Sequence, residues 1–161
     1  MIQHPIAPVW DAQSDTLILG SFPSVRSREA GFFYGHPQNR FWRVLAAVYE
    51  TPVPTATEEK IAFLHARHLA LWDVIASCEI TGSADSTIRA AVPNDLTAIL
   101  VGAPVRQIVT NGRTADALYR RHLLPVTGRE AICLPSTSPA NARTDLAALT
   151  EAWGILRALH A

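Results

Sequence analysis

The side chains of this 161-residue chain best placed for chemistry are neutral amides and hydroxyls in turn-forming loops: Ser21-Phe22-Pro23-Ser24, Asn39, Asn111-Gly112 and Pro135-Ser136-Thr137-Ser138. Such groups orient water, donate to anionic oxygens and match the hydrogen-bonding edge of a ligand, but they are poor bases. More aggressive chemistry lacks its signatures. Cys78 and Cys133 form no CxxC pair, and the six histidines make no HxH or HExxH pattern, so no metal and no cofactor are expected. GxSxG is absent, which leaves a small-molecule hydrolase of the open α/β type poorly supported. The one lysine, Lys60, follows Glu58 and Glu59 at a helix start and reads as a surface residue. Asp73 is an acid in an otherwise apolar strand, suited to brace loop amides or to polarise water. Asn39 reads by itself as a helix N-cap, and Asn111 equally as a turn residue or as an amide facing a ligand.

The elements that must position these loops alternate between strand and helix. Short apolar runs predict strands at Thr16–Gly20, Leu69–Ala76, Gln107–Thr110 and Ala131–Leu134. A long loop is expected from Ser21 to Gln38. A helix follows from Asn39 to Tyr49, with Phe41, Trp42, Val44, Leu45, Val48 and Tyr49 at helical spacing. Thr55 with Glu58 resembles a capping box for a helix carrying Ile61, Leu64 and His68 on one face. Asn94 is expected to cap a helix over Asp95–Val101, and another helix runs from Asn111-Gly112 through His122. The last would turn Leu146, Leu149, Trp153 and Leu156 inward. Strands separated by helices imply a parallel sheet with right-handed crossovers, whose ligand crevice lies beyond the carboxyl ends of the strands. The polar loops named above sit at those ends, which places a site on one rim.

Composition agrees with one packed domain: 48% of residues are hydrophobic and 17% charged. No apolar run reaches a membrane span, and the N-terminus does not read as a signal peptide, so a cytoplasmic protein is expected. Both thiols are expected to be buried. The formal net charge of zero argues weakly against avid, non-specific nucleic-acid binding. Distribution matters more than the sum, however. Arg26, Arg28, Arg40 and Arg43 form one basic group and Arg113, Arg120 and Arg121 another. Both flank the polar loops, as solvated helix faces or as contacts to phosphate.

The stretch Leu17–Trp42, LILGSFPSVRSREAGFFYGHPQNRFW, resembles the uracil-DNA glycosylase superfamily, and within it the hypoxanthine (deoxyinosine) glycosylase branch. LWDVIASCEITGSADSTI from Leu71, TNG from Thr110 and LPSTSPANA from Leu134 agree in the expected order. The combination of GHPQNRFW with PSTSPANA is the specific part. The resemblance implies a three-layer α/β/α fold around a four-stranded parallel sheet, with residues 1–161 as a single glycosylase domain. It also implies a monofunctional enzyme that flips a deaminated base, hypoxanthine foremost, out of DNA and hydrolyses its N-glycosidic bond. The mismatch-specific uracil enzymes hold water with an Asn in a GxNPG-like motif. Phe22 stands at that position here, and the resemblance implies that Asn39 of the GHPxNRFW-like motif takes over the role.

The resemblance thus makes Asn39 the catalytic candidate, orienting water toward a sugar of oxocarbenium character. Preorganised electrostatics would then carry the rate. Phe22, Tyr34, Asp73 and Asn111 are the base-side candidates, with Tyr34 matching the position of a stacking ring. Hypoxanthine and uracil present a ring N–H beside a carbonyl, whereas adenine and cytosine present the reverse. An amide such as Asn111, held in one orientation, would penalise the wrong base by roughly 1–3 kcal/mol or more. Ser24, Arg26, Arg40, Ser136, Thr137, Ser138, Asn141 and Arg143 are the DNA-side candidates. Asp85 with Ser83 is expected to brace a loop, and Lys60 to provide no Schiff base. The expected partner is DNA containing deaminated bases, with no membrane involvement and a monomeric chain. A uracil or mismatch-specific glycosylase, or a module that binds lesions without cutting, are the alternatives.

Overall fold

Five consecutive residues of the run Thr16–Gly20 are buried, as expected for a parallel strand covered on both faces. A computed structural model describes residues 1–160. The first part of the chain comprises β1 (Ile2–Gln3), β2 (Thr16–Gly20), α1 (Val25–Ala30), α2 (Phe41–Tyr49), α3 (Thr57–Ala66), β3 (Leu69–Asp73), β4 (Ile75–Glu79) and β5 (Arg89–Pro93). The second part comprises α4 (Thr97–Gly102), β6 (Gln107–Asn111), α5 (Arg113–His122), α6 (Leu124–Thr127), β7 (Ala131–Leu134), α7 (Leu146–Trp153) and α8 (Ile155–Ala158).

The main sheet has the order β3-β2-β6-β7, and all its pairings are parallel. Alternation along its strands divides the core in two. Ile18, Leu69, Leu71, Val109 and Leu134 face Phe41, Leu45, Leu64, Leu149 and Trp153 from α2, α3 and α7. Leu17, Leu19, Ala70 and Ile108 face Ile99, Tyr119 and Leu123 on the other side. Helices therefore cover both faces, giving the three-layer α/β/α arrangement read from the sequence.

Several local expectations need correction. The run Leu69–Ala76 is two strands. After Asp73 the chain leaves the parallel sheet, and β4 enters a second, antiparallel sheet of order β1-β4-β5. No turn residue marks the crossing, because Val74 and Ile75 keep their amides bonded to the Gly20 and Ser21 carbonyls while the strand bends away. The loop after β2 contains the one-and-a-half-turn helix α1, capped by Ser24, whose Oγ accepts from the Ser27 amide at 3.1 Å. Glu59, not Glu58, reaches back to the N-terminus of α3, and His68 lies beyond that helix at φ 58°. Asn94 caps nothing. It is buried and its Nδ2 donates to the Asp73 carbonyl, while Asp95 accepts from the Thr97 amide. Leu146 is exposed, unlike Leu149, Trp153 and Leu156. Cys78 is buried but Cys133 is exposed, and both are free thiols. Among the described residues no helix is long and apolar enough to cross a membrane.

Candidate active site

The carboxyl ends of β2, β3, β6 and β7 open into a cleft of about 1080 Å³. Of the residues singled out from sequence, Phe22, Ser24, Tyr34, Asn39, Asp73, Asn111, Ser136, Thr137, Ser138, Asn141 and Arg143 border it, whereas Arg26 and Arg40 do not. Two glycines let the strand ends come together. A Cβ on Gly20 would sit 2.4 Å from Asp73 Oδ1 and 2.9 Å from the Tyr34 hydroxyl. Gly112 has φ +95°, and a Cβ there would meet Ser136 at 2.9 Å.

Thr137 ties the two candidate amides together. Its hydroxyl donates to Asn39 Oδ1 at 2.9 Å and accepts from Asn111 Nδ2 at 3.0 Å, while its amide donates to Asn111 Oδ1 at 3.1 Å. Thr137 is fully buried. Its expected contact to phosphate is therefore corrected: the oxygen that would donate outward is committed inward. Asn39 precedes the N-cap position of α2, yet its Oδ1 also accepts from the Phe41 amide at 2.9 Å and so satisfies a helix-end donor. With Oδ1 doubly engaged, the Nδ2 end of the Asn39 amide is the uncommitted one. Asn111 is more heavily engaged. Its second Nδ2 hydrogen goes to the Tyr34 hydroxyl at 3.1 Å, which leaves only one lone pair on Oδ1 free. The donor half of the base-reading edge expected of Asn111 is thus spent within the protein.

Tyr34 adopts φ 54°, a left-handed conformation unusual for an aromatic residue. The α1 helix and its Gly31 end hold the segment in place, with the Gly35 amide donating to buried Ser27 Oγ at 2.9 Å. One face of the Tyr34 ring stacks on Phe41, with centroids 4.0 Å apart and planes 18° from parallel. The residue also borders the cleft. Burial first, and the nearby Asp73 carboxylate second, push its phenol above the ordinary range, so it stays a neutral hydroxyl. Phe22, the alternative ring, is only 6% exposed. It borders the cleft while packing in the second core, edge-on to His4 and beneath the Arg28 guanidinium.

Asp73 sits at the cleft floor beside Gly20. His4 Nε2 donates to its Oδ2 at 2.7 Å, and both side chains are almost wholly buried. Sequence reasoning passed over His4. Nothing in its neighbourhood marks it, because only the pairing of β1 with β4 brings the N-terminus beneath the site. Asp85 accepts from Ser21 Oγ at 2.8 Å and Ser83 Oγ accepts from the Val25 amide, which is the loop bracing read from the sequence.

The basic residues divide sharply. Arg40 donates to the carbonyls of Thr144, Asn141 and Ser138, at 2.5, 3.0 and 3.3 Å, and so clamps the 138–144 loop; its assignment to DNA is corrected accordingly. Asn141 serves the same loop through Nδ2 to the Ser136 carbonyl. Arg28 bonds the Gly82 carbonyl and Arg120 pairs with Asp116. Arg26 is exposed on α1, outside the cleft. Arg113 and Arg143 border the cleft, as do Ser136 and Ser138, whose hydroxyls accept from nearby amides and keep their own hydrogens to donate. Ser24 uses its hydroxyl hydrogen on Ser27 Oγ. Lys60 lies over the Trp42 ring, away from the cleft and half-buried, where burial lowers its pKa.

Comparison with known proteins places this geometry in context. Residues 7–158 match the family model described as the uracil DNA glycosylase superfamily. A protein of Methanosarcina acetivorans named hypoxanthine DNA glycosylase is 37% identical over 145 residues, covering 89% of this chain and 90% of the relative. One of the same name from Methanosarcina barkeri is 30% identical over 146 residues, covering 89% and 91%. A solution NMR structure of a Methanosarcina acetivorans protein, described as a candidate uracil DNA glycosylase, superposes with a TM-score of 0.80. It shows 33% identity and covers 98% of this chain and 99% of its own.

Proposed function

Because this chain belongs to the uracil DNA glycosylase superfamily, and is a DNA glycosylase, a hydrolase of N-glycosyl bonds, we propose that its substrate is deoxyinosine in DNA and that it releases hypoxanthine. The observation that carries the proposal is the meeting of Asn39, Tyr34, Asp73 and Asn111 around one cleft at the strand ends, with the Asn39 Nδ2 uncommitted. The names of these relatives point to the lesion, and the residues gathered at the cleft support the chemistry.

An extruded nucleotide loses its stacking neighbours, and the Tyr34 ring at the cleft replaces one of them. The C1′–N9 bond then breaks with its electron pair leaving on the purine. Asn39 Nδ2 holds a water by donating to its oxygen, which keeps a lone pair for attack at C1′. An amide cannot take the water's proton early, so bond breaking runs ahead of attack and positioning carries the rate. After attack the water loses its proton to solvent and the departing purine takes one up, so the products are free hypoxanthine and an abasic sugar, as base excision repair requires. Lys60 is too far removed to form a Schiff base, which supports hydrolysis without strand cutting. Arg113, Arg143, Ser136 and Ser138 on the rim offer donors to the DNA backbone.

A panel of single- and double-stranded oligonucleotides carrying hypoxanthine, uracil or xanthine, treated with protein and then hot alkali, tests the proposal. Breaks at hypoxanthine are expected without breaks before alkali. Faster release of uracil would reassign the lesion, and binding with no alkali-labile product from any strand would mean recognition without catalysis.

A further inference from the structure

Granted that reading of the function, two side-chain oxygens at the cleft can accept the ring N–H of the base: Asn111 Oδ1, one lone pair of which already takes the Thr137 amide, and Asp73 Oδ1, which takes none. We infer that Asp73 Oδ1 accepts the N1–H of extruded hypoxanthine and that His4 is the positioning residue that fixes this oxygen toward the cleft. Asp73 lies at the cleft floor with its side chain only 5% exposed, and His4, at Oδ2, is the one hydrogen-bonding partner of its carboxylate among the described residues. Oδ1 is packed against Gly20 and lacks a partner among the described residues, an arrangement that a ligand N–H would complete.

The protonation of His4 follows from its other contact. Nδ1 accepts from the Ile6 amide at 3.2 Å and therefore carries no hydrogen. The ring proton then sits on Nε2, and the contact to Asp73 is a hydrogen bond from a neutral imidazole rather than an ion pair. This orientation is imposed by the backbone: the His4 amide donates to the Ala76 carbonyl at 2.7 Å, and β1 pairs with β4 immediately before it. His4 also meets Phe22 and Trp72 edge-on, which fixes the ring plane. A neutral imidazole leaves the carboxylate its negative charge. An anionic acceptor favours the lactam N1–H of hypoxanthine and opposes the N1 lone pair of adenine, so the normal purine is rejected electrostatically as well as by an unmade bond.

The arrangement makes an unusual prediction for the isosteric amide. In Asp73→Asn, the His4 Nε2–H still demands an oxygen at the Oδ2 position, so the amide must turn its NH₂ toward the cleft, where it opposes the N1–H. Single-turnover release of hypoxanthine should fall by more than about tenfold. Adding His4→Phe frees the amide to turn over, so the double variant should be faster than Asp73→Asn alone. A merely structural role would make two defects in one buried pair accumulate. Binding to duplex DNA with a tetrahydrofuran abasic site, which lacks a base, should stay within about threefold of wild type for every variant, because only base contacts are lost. A smaller loss in Asp73→Asn, or a double variant no faster than it, would overturn the inference.

A second measurement uses the unaltered protein. Deoxynebularine offers a lone pair where hypoxanthine has N1–H, and its purine should leave more than about tenfold more slowly. Release at a similar rate would overturn the inference. Wild-type protein inactive on hypoxanthine would instead refute the reading of the function, so the two failures are distinguishable.

Discussion

Replacing Thr137 by Val exchanges one buried oxygen for a methyl group at the point where the two amides of the cleft are joined. The hydroxyl donates to Asn39 Oδ1 at 2.9 Å and accepts from Asn111 Nδ2 at 3.0 Å, and Thr137 itself is 0% exposed. The backbone contacts of Thr137 to Asn111 Oδ1 and to the Arg40 amide survive the change. The loss is therefore two side-chain hydrogen bonds, with one Asn111 hydrogen left in a dry place, worth about 2 kcal/mol. For a chain of this size that lowers Tm by about 4–8 °C. The kinetic effect exceeds the thermodynamic one. Asn39 keeps its bond to the Phe41 amide but loses the contact that stops it swinging about that bond. A displacement of about 1 Å in a positioned water costs on the order of 100-fold. Thr137→Ser restores the hydroxyl and should recover most of the rate. The assay is single-turnover release of hypoxanthine with enzyme in excess, followed by alkali and gel separation. A Thr137→Val protein that cuts at the wild-type rate, or a Thr137→Ser protein as slow as Thr137→Val, would refute the coupling.

Further outcomes follow from other contacts. Gly20→Ala should destabilise the protein by about 1–3 kcal/mol in thermal melts, because the new Cβ would meet Asp73 Oδ1 at 2.4 Å and displace the cleft floor. Arg40→Met should lower stability by about 2–4 kcal/mol through its three carbonyl contacts, while the slope of DNA affinity against salt stays unchanged, because Arg40 holds a loop and not a phosphate. Burial first, and repulsion from Asp73 in addition, raise the carboxyl of Asp85 against the lowering effect of its Ser21 bond. A raised carboxyl contributes stability below its ordinary value of 3.8, and that contribution is lost as pH rises through the folded value. Asp85→Asn, which keeps an acceptor for Ser21, should therefore gain stability relative to wild type between acid and neutral pH; a pH-independent difference in Tm would contradict this.

The parts of this protein written in local patterns were legible in its sequence. The apolar runs of β2 and β7 have the bounds read from them, and the motif-bearing loops do gather at the carboxyl rim. What escaped depends on contacts between distant segments. His4 carries no local signal, and it reaches Asp73 only because a two-residue strand pairs with β4 far along the chain, Ile2 with Cys78 and Gln3 with Ser77. Arg40 looks like a phosphate ligand by charge, but the 138–144 loop folds over it and takes its donors. Thr137 reads as an exposed hydroxyl in a polar loop, yet the loop buries it between two amides. The side chains of Asn39 and Asn111 could be named from their motifs. Which end of each amide stays free is fixed by those partners, and one-dimensional pattern does not record it.

Asn39→Ala tests the central claim most directly, measured as single-turnover release of hypoxanthine beside a thermal melt. The account predicts a loss of about 100-fold or more in rate, with stability lowered by about 2 kcal/mol from the lost contacts to the Phe41 amide and the Thr137 hydroxyl. Turnover within a few-fold of wild type, by a protein that still melts cooperatively, would contradict it.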